Sequence, residues 1–145
     1  MKRLIALLVL VSVFFSFSCK KAIQNAEQSL LEKYFEKYVI GNNFVVTLAK
    51  DSSNDITSEY AGYTFVLLKT DLYHGPLQAK NGSNQYMGTW SSNDDYSKLI
   101  IVLPDSVPVF HFLARSWRFT KKANPTLQLA PWGSNAPIVL YMTHQ

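Results

Sequence analysis

The chain begins with a run of apolar residues between a charged start and a pair of small residues. Lys2 and Arg3 precede an apolar stretch over residues 4–15, and Ser16 and Ser18 follow it. This three-part layout predicts a secretory signal, because the apolar stretch is too short for a comfortable membrane-spanning helix.

The next pattern is helical. Between residues 22 and 39, apolar side chains recur at steps of three and four residues, with Glu and Lys between them. Residues at these steps share one face of a helix, so the segment predicts one amphipathic helix with a core-facing stripe. Gly41 follows, where a glycine usually ends a helix. The stripe consists of Leu30, Leu31, Tyr34, Phe35, Tyr38 and Val39.

After Gly41 the period changes to two, which is the period of a β-strand. Runs separated by Asn, Asp, Ser, Gly and Pro predict strands over 44–50, 63–69, 77–80, 85–91, 98–103, 112–121, 126–129 and 138–143. Asn81-Gly82 predicts a hairpin turn, since this pair tolerates positive φ best. The spacing favours a closed barrel or a sandwich, and closure removes exposed strand edges. We predict a mainly β fold: one antiparallel up-and-down β-barrel of about eight strands behind one helix.

Cys19, the only cysteine, directly follows Ser18. It stands where a lipoprotein signal peptidase would leave it as the first residue of the mature chain, and the segment resembles the relaxed lipobox of Bacteroidota lipoproteins. We expect cleavage before Cys19 and acylation of its sulfur, which would hold the protein on a membrane. An ordinary leader with an incidental cysteine and an uncleaved helical anchor are the alternatives. The predicted organisation is a signal peptide over 1–18, a lipidated tether and helix over 19–40, and a barrel over 41–145.

Four short motifs follow one another in the β region. They are Tyr60-Ala-Gly-Tyr-Thr-Phe65, Asn81-Gly82, Gly88-Thr-Trp90-Ser91 and Ser97-Lys-Leu-Ile-Ile-Val-Leu103. In this order, from about Gly41 to the C-terminus, the chain resembles the small lipocalin-like lipoproteins of Bacteroidota. It departs from the broader lipocalin pattern at Gly41-Asn42-Asn43-Phe44, where Gly-x-Trp is usual. The resemblance implies a lipocalin-like barrel, and Lys20 after the cysteine fits an outer-membrane lipoprotein of the cell envelope that faces the periplasm.

The sequence offers little for catalysis, metals or nucleic acid. The net charge of +4 loses Lys2 and Arg3 with the leader, and the remaining cations form no long stripe, which argues against nucleic-acid binding. No phosphate-binding glycine loop, Gly-x-Ser-x-Gly turn or Cys/His cluster is present in the sequence. We therefore expect a protein without enzymatic activity, catalytic residues, cofactor or metal.

Two weaker metal hypotheses use residues that have simpler explanations. His74, His111 and His144 could form a site with Asp71 or Asp105, but scattered surface histidines are the favoured interpretation. Asn93, Asp94 and Asp95 could hold a weak calcium ion in a loop, although turn chemistry explains all three.

Arg115 is the most suggestive single residue. On the predicted strand 112–121, alternation places Leu113, Arg115, Trp117 and Phe119 on one face. An interior arginine needs a partner, because burying its charge alone costs several kcal/mol. A bound carboxylate or phosphate could be that partner; stacking on Trp90 or Trp117, or a position at the barrel rim, is the favoured alternative. The candidate ligand-binding residues are Arg115, Trp117, Phe119, Trp90, Tyr63 and Phe65.

Two functions fit this sequence. The first is a membrane-anchored lipoprotein that binds a small apolar or amphiphilic ligand inside the barrel. The alternative is a structural or protein-interaction lipoprotein with a filled barrel, which docks another envelope protein through an exposed apolar patch near Pro131-Trp132-Gly133. Aromatic side chains can fill a small barrel or line a pocket, so the alternating pattern leaves both open.

Overall fold

The computed structural model describes residues 28–122 and 124–145. Helix α1 occupies residues 28–38 of the described chain, so it lies within the predicted helical segment. The leader, Cys19 and residues 22–27 of that segment lie outside the described residues. The strands are β1 (Asn43–Asp51), β2 (Asn54–Asp55), β3 (Tyr63–Leu67), β4 (His74–Asn81), β5 (Asn84–Ser92), β6 (Lys98–Val102), β7 (Ser116–Lys122), β8 (Thr126–Pro131) and β9 (Ile138–His144).

The sheet closes on itself. From β3 to β9, each strand pairs antiparallel with the next, and β1 pairs with both β3 and β9. The closing seam runs from Phe44 opposite His144 to Asp51 opposite Ile138, with one irregularity between Val46 and Leu48. The prediction of an eight-stranded up-and-down antiparallel barrel behind one helix is confirmed. The two-residue strand β2 is an appendage that pairs only with the end of β1.

One predicted strand begins too early. The run over 112–121 forms a strand only from Ser116, and residues 111–115 make turns. Phe112 and Leu113 are consecutive and both buried, which an alternating strand cannot achieve at a sheet with one inner face. The prediction for residues 112–115 is therefore wrong.

Helix α1 covers one end of the barrel. The wholly buried Phe35 ring lies 4.7 Å from the ring of Tyr96, 5.8 Å from that of Phe119 and 5.9 Å from that of Trp90. Glu36 forms an ion pair with Lys69 at the edge of the contact. Within the predicted apolar stripe, Phe35 and Val39 are buried in the barrel core, and Leu31 and Tyr34 pack against it. The prediction is wrong for Leu30, which is 67% exposed.

The glycine of the Gly88-Thr-Trp90 motif has a packing role. A Cβ atom at Gly88 would lie 2.0 Å from the carbonyl oxygen of Val102 and 3.1 Å from the Cα of Leu103. Only glycine allows the end of β6 to lie so close to β5. The chain then continues through residues 103–115 across the end of the barrel opposite α1, because β6 runs antiparallel to β5, which ends near α1.

Replacing Phe35 with alanine should lower the free energy of unfolding by about 3–5 kcal/mol, because a fully buried aromatic ring is lost. Leu30→Ala is the matched control, since Leu30 lies on the same helix but is 67% exposed and should cost little. Urea titration of both variants checks this. Equal losses would mean that α1 does not close the barrel through Phe35.

Candidate functional site

The barrel interior is the place where a lipocalin-like protein would hold a ligand. Here every barrel strand contributes at least one inward side chain that is no more than 1% exposed. These side chains are Phe44, Phe65, Leu77, Trp90, Leu99, Trp117, Leu129 and Leu140. No polar or charged residue of the described chain is buried among them.

Such complete burial describes a filled interior. A chamber wide enough for water, and still more one wide enough for a lipid, would leave its lining side chains accessible from within. Protein cores reach this state when side chains interdigitate at crystal-like density. Around these eight side chains the described chain therefore leaves no room for a ligand.

The two buried indoles also use their polar atoms within the protein. Trp90 donates from Nε1 to the carbonyl oxygen of Leu68 at 2.7 Å, and Trp117 donates from Nε1 to that of Leu113 at 3.0 Å. Buried indole N–H groups normally need such a partner. Neither tryptophan keeps a free donor with which to orient a ligand.

Arg115 lies at the rim where residues 103–115 cover the barrel. Its guanidinium carbon is 4.9 Å from the centre of the Phe112 ring and 5.4 Å from that of Trp117. This is the cation–π arrangement that the sequence favoured, with Trp117 rather than Trp90 as the stacking partner. Among the described residues, no carboxylate lies within 4 Å of the guanidinium and no side-chain hydrogen bond reaches it.

Aromatic contacts and one hydrogen bond from a tyrosine hydroxyl hold the covering segment 103–115 on the barrel. Tyr60 donates to the carbonyl oxygen of Val109 at 2.9 Å. Phe110 is wholly buried, and its ring meets those of Tyr63 at 5.6 Å and Tyr86 at 5.2 Å in edge-on geometry. Burial raises the pKa of the Tyr60 hydroxyl. The negative charge of Glu59 raises this pKa further, whereas the positive charge of Arg115 lowers it by less. The hydroxyl therefore stays protonated and can donate.

Sequence reasoning missed these covering residues. Tyr60, Phe110 and Phe112 were not among the candidates. Tyr60 and Phe110 lie outside the predicted strands, and alternation assigned Phe112 to the face opposite Arg115. Pro104 and Pro108 were the available sign that this segment is not a strand, since a proline has no N–H to donate to a neighbouring strand. Pro108 stands in the first turn of a 3-10 helix, Pro108–Phe110.

The six candidate ligand residues fall into two groups. Tyr63, Phe65, Trp117 and Arg115 join one aromatic network through Tyr60, Phe110 and Phe112 at the covered end. Trp90 and Phe119 instead contact Phe35 at the helix end. The structure does not bring the six side chains together around one space.

The histidines are separate from one another. His74 Nδ1 lies 2.9 Å from Asp71, and His111 Nε2 lies 3.0 Å from Asp105, both pairs at the surface. The ring of His144 is 6.1 Å from that of Phe44. Within the described residues, no three His, Cys, Asp or Glu side chains gather as a metal site would require.

The loop between β5 and β6 uses its polar side chains for its own turn. Asn93 Oδ1 accepts a hydrogen bond from the Lys98 amide at 2.9 Å. Asp95 accepts from the Ser97 hydroxyl at 2.6 Å and from the Ser97 amide at 3.0 Å, and these bonds hold the pKa of Asp95 below its ordinary value. Turn chemistry therefore accounts for Asn93 and Asp95.

Tyr96, in the same loop, is buried with an unfavourable backbone conformation and an unpartnered hydroxyl. It has a φ of 52°, a left-handed conformation that costs energy for an aromatic residue. Among the described residues its buried hydroxyl has no hydrogen-bond partner, although the Tyr73 ring stacks on the Tyr96 ring at 5.3 Å. The loop is held in this form by the packing of the Tyr96 ring on Phe35 and Tyr73.

Comparison with known proteins gives no match, whether to a family model, to a curated protein or to a solved structure. The resemblance to small lipocalin-like lipoproteins therefore stays a prediction. In residues 28–122 and 124–145, no helix has both the length and the apolar character of a membrane span.

Two tyrosine hydroxyls test which contacts hold the ends of the barrel. Tyr60→Phe should lower the free energy of unfolding by about 1 kcal/mol, because the bond to Val109 is lost. Tyr96→Phe should leave stability unchanged or raise it, since its hydroxyl is buried without a partner. Urea titrations of the two variants measure the difference; the reverse order would contradict this assignment.

Proposed function

We propose that the chain is the precursor of an envelope lipoprotein, cut before Cys19 and anchored through its acylated sulfur. The leader pattern and the lone cysteine support this. The described chain begins at Gln28, nine residues after Cys19, and helix α1 leads directly into the barrel. Because Lys20, and not Asp, follows the lipidated cysteine, we place the protein in the outer membrane, facing the periplasm.

The barrel acts as a solid module rather than a carrier, and it works through its outer surface. The single observation that supports this is the complete burial of an inward side chain from each barrel strand. A ligand would have to displace large side chains such as Trp117, and vacating a buried aromatic site costs about 3–5 kcal/mol.

One observation keeps ligand binding as the second candidate. The Arg115 guanidinium lies half-buried over two aromatic rings without a carboxylate from the described chain. An amphiphile could place its acidic group there if segment 103–115 moved aside. Such a ligand would touch Phe112 and Trp117 before any other interior side chain.

Replacing Cys19 with serine should abolish acylation and release the protein from the membrane fraction. The reason is that several acyl chains, at about 0.8 kcal/mol for each buried methylene, supply the attachment. Mass spectrometry of the wild-type protein should find a mature chain that starts at an acylated Cys19. Finding Met1 still attached, or an unmodified sulfur on the first residue of the mature chain, would contradict the proposed membrane anchoring.

Solvent extraction of the purified lipoprotein separates the filled barrel from the carrier. A filled barrel predicts that wild type, Arg115→Ala and the surface control Lys50→Ala all yield no stoichiometric small molecule by mass spectrometry. Covalent acyl chains stay with the protein and do not interfere. A molecule retained by wild type and by Lys50→Ala but lost from Arg115→Ala would establish the second candidate instead.

A further inference from the structure

The outer face of β6, β7 and β8 carries an unusual group of side chains. Lys98 and Arg118 lie opposite each other on neighbouring strands, and Lys121 lies opposite Gln128. Trp132 follows directly after β8 and is 42% exposed, whereas the other two tryptophans are buried. We call these four residues, Lys98, Arg118, Lys121 and Trp132, the basic wall.

Two of the three cations of the basic wall contact the indole ring or the backbone beside it. Lys98 Nζ lies 5.3 Å from the centre of the Trp132 ring, and Arg118 Nε donates to the carbonyl oxygen of Pro131 at 3.3 Å. The Trp132 amide donates to the carbonyl oxygen of Ser116 at 2.9 Å, which fixes the start of the loop. In the described structure, no carboxylate lies within 4 Å of any of the three cations.

The absence of acidic partners extends over most of the barrel. Strands β3 to β9, as described, contain no Asp or Glu, whereas they carry five Lys or Arg residues. The neighbouring outward positions on the wall, Ile100, Ser116, Thr120 and Gln128, are neutral. The nearest acidic residues along the chain, Asp94 and Asp95, lie in the β5–β6 loop at the helix end. The positive charge of the wall is therefore left for an external partner.

We propose that the basic wall rests on an anionic lipid surface, the headgroup layer of the membrane to which the protein is tethered. This inference builds on the proposed lipoprotein anchor. Indole rings with one apolar and one polar side favour the membrane interface, and the long stems of Lys and Arg let their charges reach headgroups. The four side chains lie on the convex outer side of paired strands, as described, which favours an extended lipid layer over an acidic peptide that would need a groove.

The tether permits this contact. Eight residues lie between Cys19 and Gln28, and the nine residue steps from one to the other span at most about 32 Å. The side of the barrel therefore stays within reach of the bilayer that holds the acyl chains. Each cation near an anionic membrane should favour the docked state by about fivefold, so the three together should contribute about a hundredfold.

Trp132 provides a direct readout, because Trp90 and Trp117 are shielded from solvent. The acylated mature protein is reconstituted into vesicles of phosphatidylcholine alone or of phosphatidylcholine with phosphatidylglycerol. On the anionic vesicles, Trp132 emission should shift to the blue, become protected from aqueous acrylamide and be quenched by brominated lipid. The effect should disappear at about 1 M salt, where the Debye length is about 3 Å. Trp132→Phe should remove the signal.

Matched variants decide whether the wall is responsible. The triple variant Lys98→Gln, Arg118→Gln, Lys121→Gln should lose the response, whereas the control Lys50→Gln, Lys80→Gln, on β1 and β4, should keep it. Equal Trp132 emission on both vesicles, or a response that survives in the triple variant, would overturn the proposal. So would a crosslinker at position 132 that captures an acidic envelope protein while the vesicles give no response. A protein that fails to enter even neutral vesicles would instead show that the anchor is wrong.

Discussion

Mutual burial of large apolar side chains inside a closed ring of strands is the interaction on which the rest of this structure depends. The β1–β9 pairing removes free edges along the seam, and the space that it encloses is taken up by side chains from every barrel strand. A ring of strands still leaves two open ends, which must be covered if the core is to stay dry. Helix α1 covers one end through Phe35, and residues 103–115 cover the other through Phe110 and Leu113.

This filling also decides where polar chemistry can occur. Both buried indoles donate to backbone carbonyls, and Arg115 stacks over rings at the rim, so neither tryptophan keeps a free donor in the interior. Among the described side chains, the buried hydroxyls without a partner are those of Tyr34 and Tyr96. Charge is consequently left outside, and it is unevenly distributed. Among the described residues, the acidic side chains lie on α1, on the β1–β2 hairpin, on the 3-10 helix Thr57–Tyr60 and in loops, whereas the charged side chains of the strands from β3 onward are all Lys or Arg. A lipid anchor and a basic wall would then act on the same membrane.

Prediction from sequence succeeded where one element had one clear period. The helical stripe around Phe35 and the alternating runs were found because a buried face imposes its period on the residues that line it. It failed at residues 112–115, where Phe112 and Leu113 turn inward together. The alternation rule applies only inside a strand, so it was right for Trp117 and Phe119 and wrong for the segment before Ser116. Arg115 was identified as unusual, but its neighbour Phe112 was assigned to the opposite face.

The amino-acid sequence by itself determined the amphipathic helix and the number and order of the barrel strands, because each depends on local composition or on a short period. It also predicts the leader that ends at the lone Cys19. Tertiary structure alone decided that each barrel strand buries at least one large inward side chain completely and which rings receive Arg115. It also decided that three cations distant in sequence share one wall with Trp132. The physical reason is that packing and charge clustering depend on distances across strands, and strand register brings together residues that no local pattern relates.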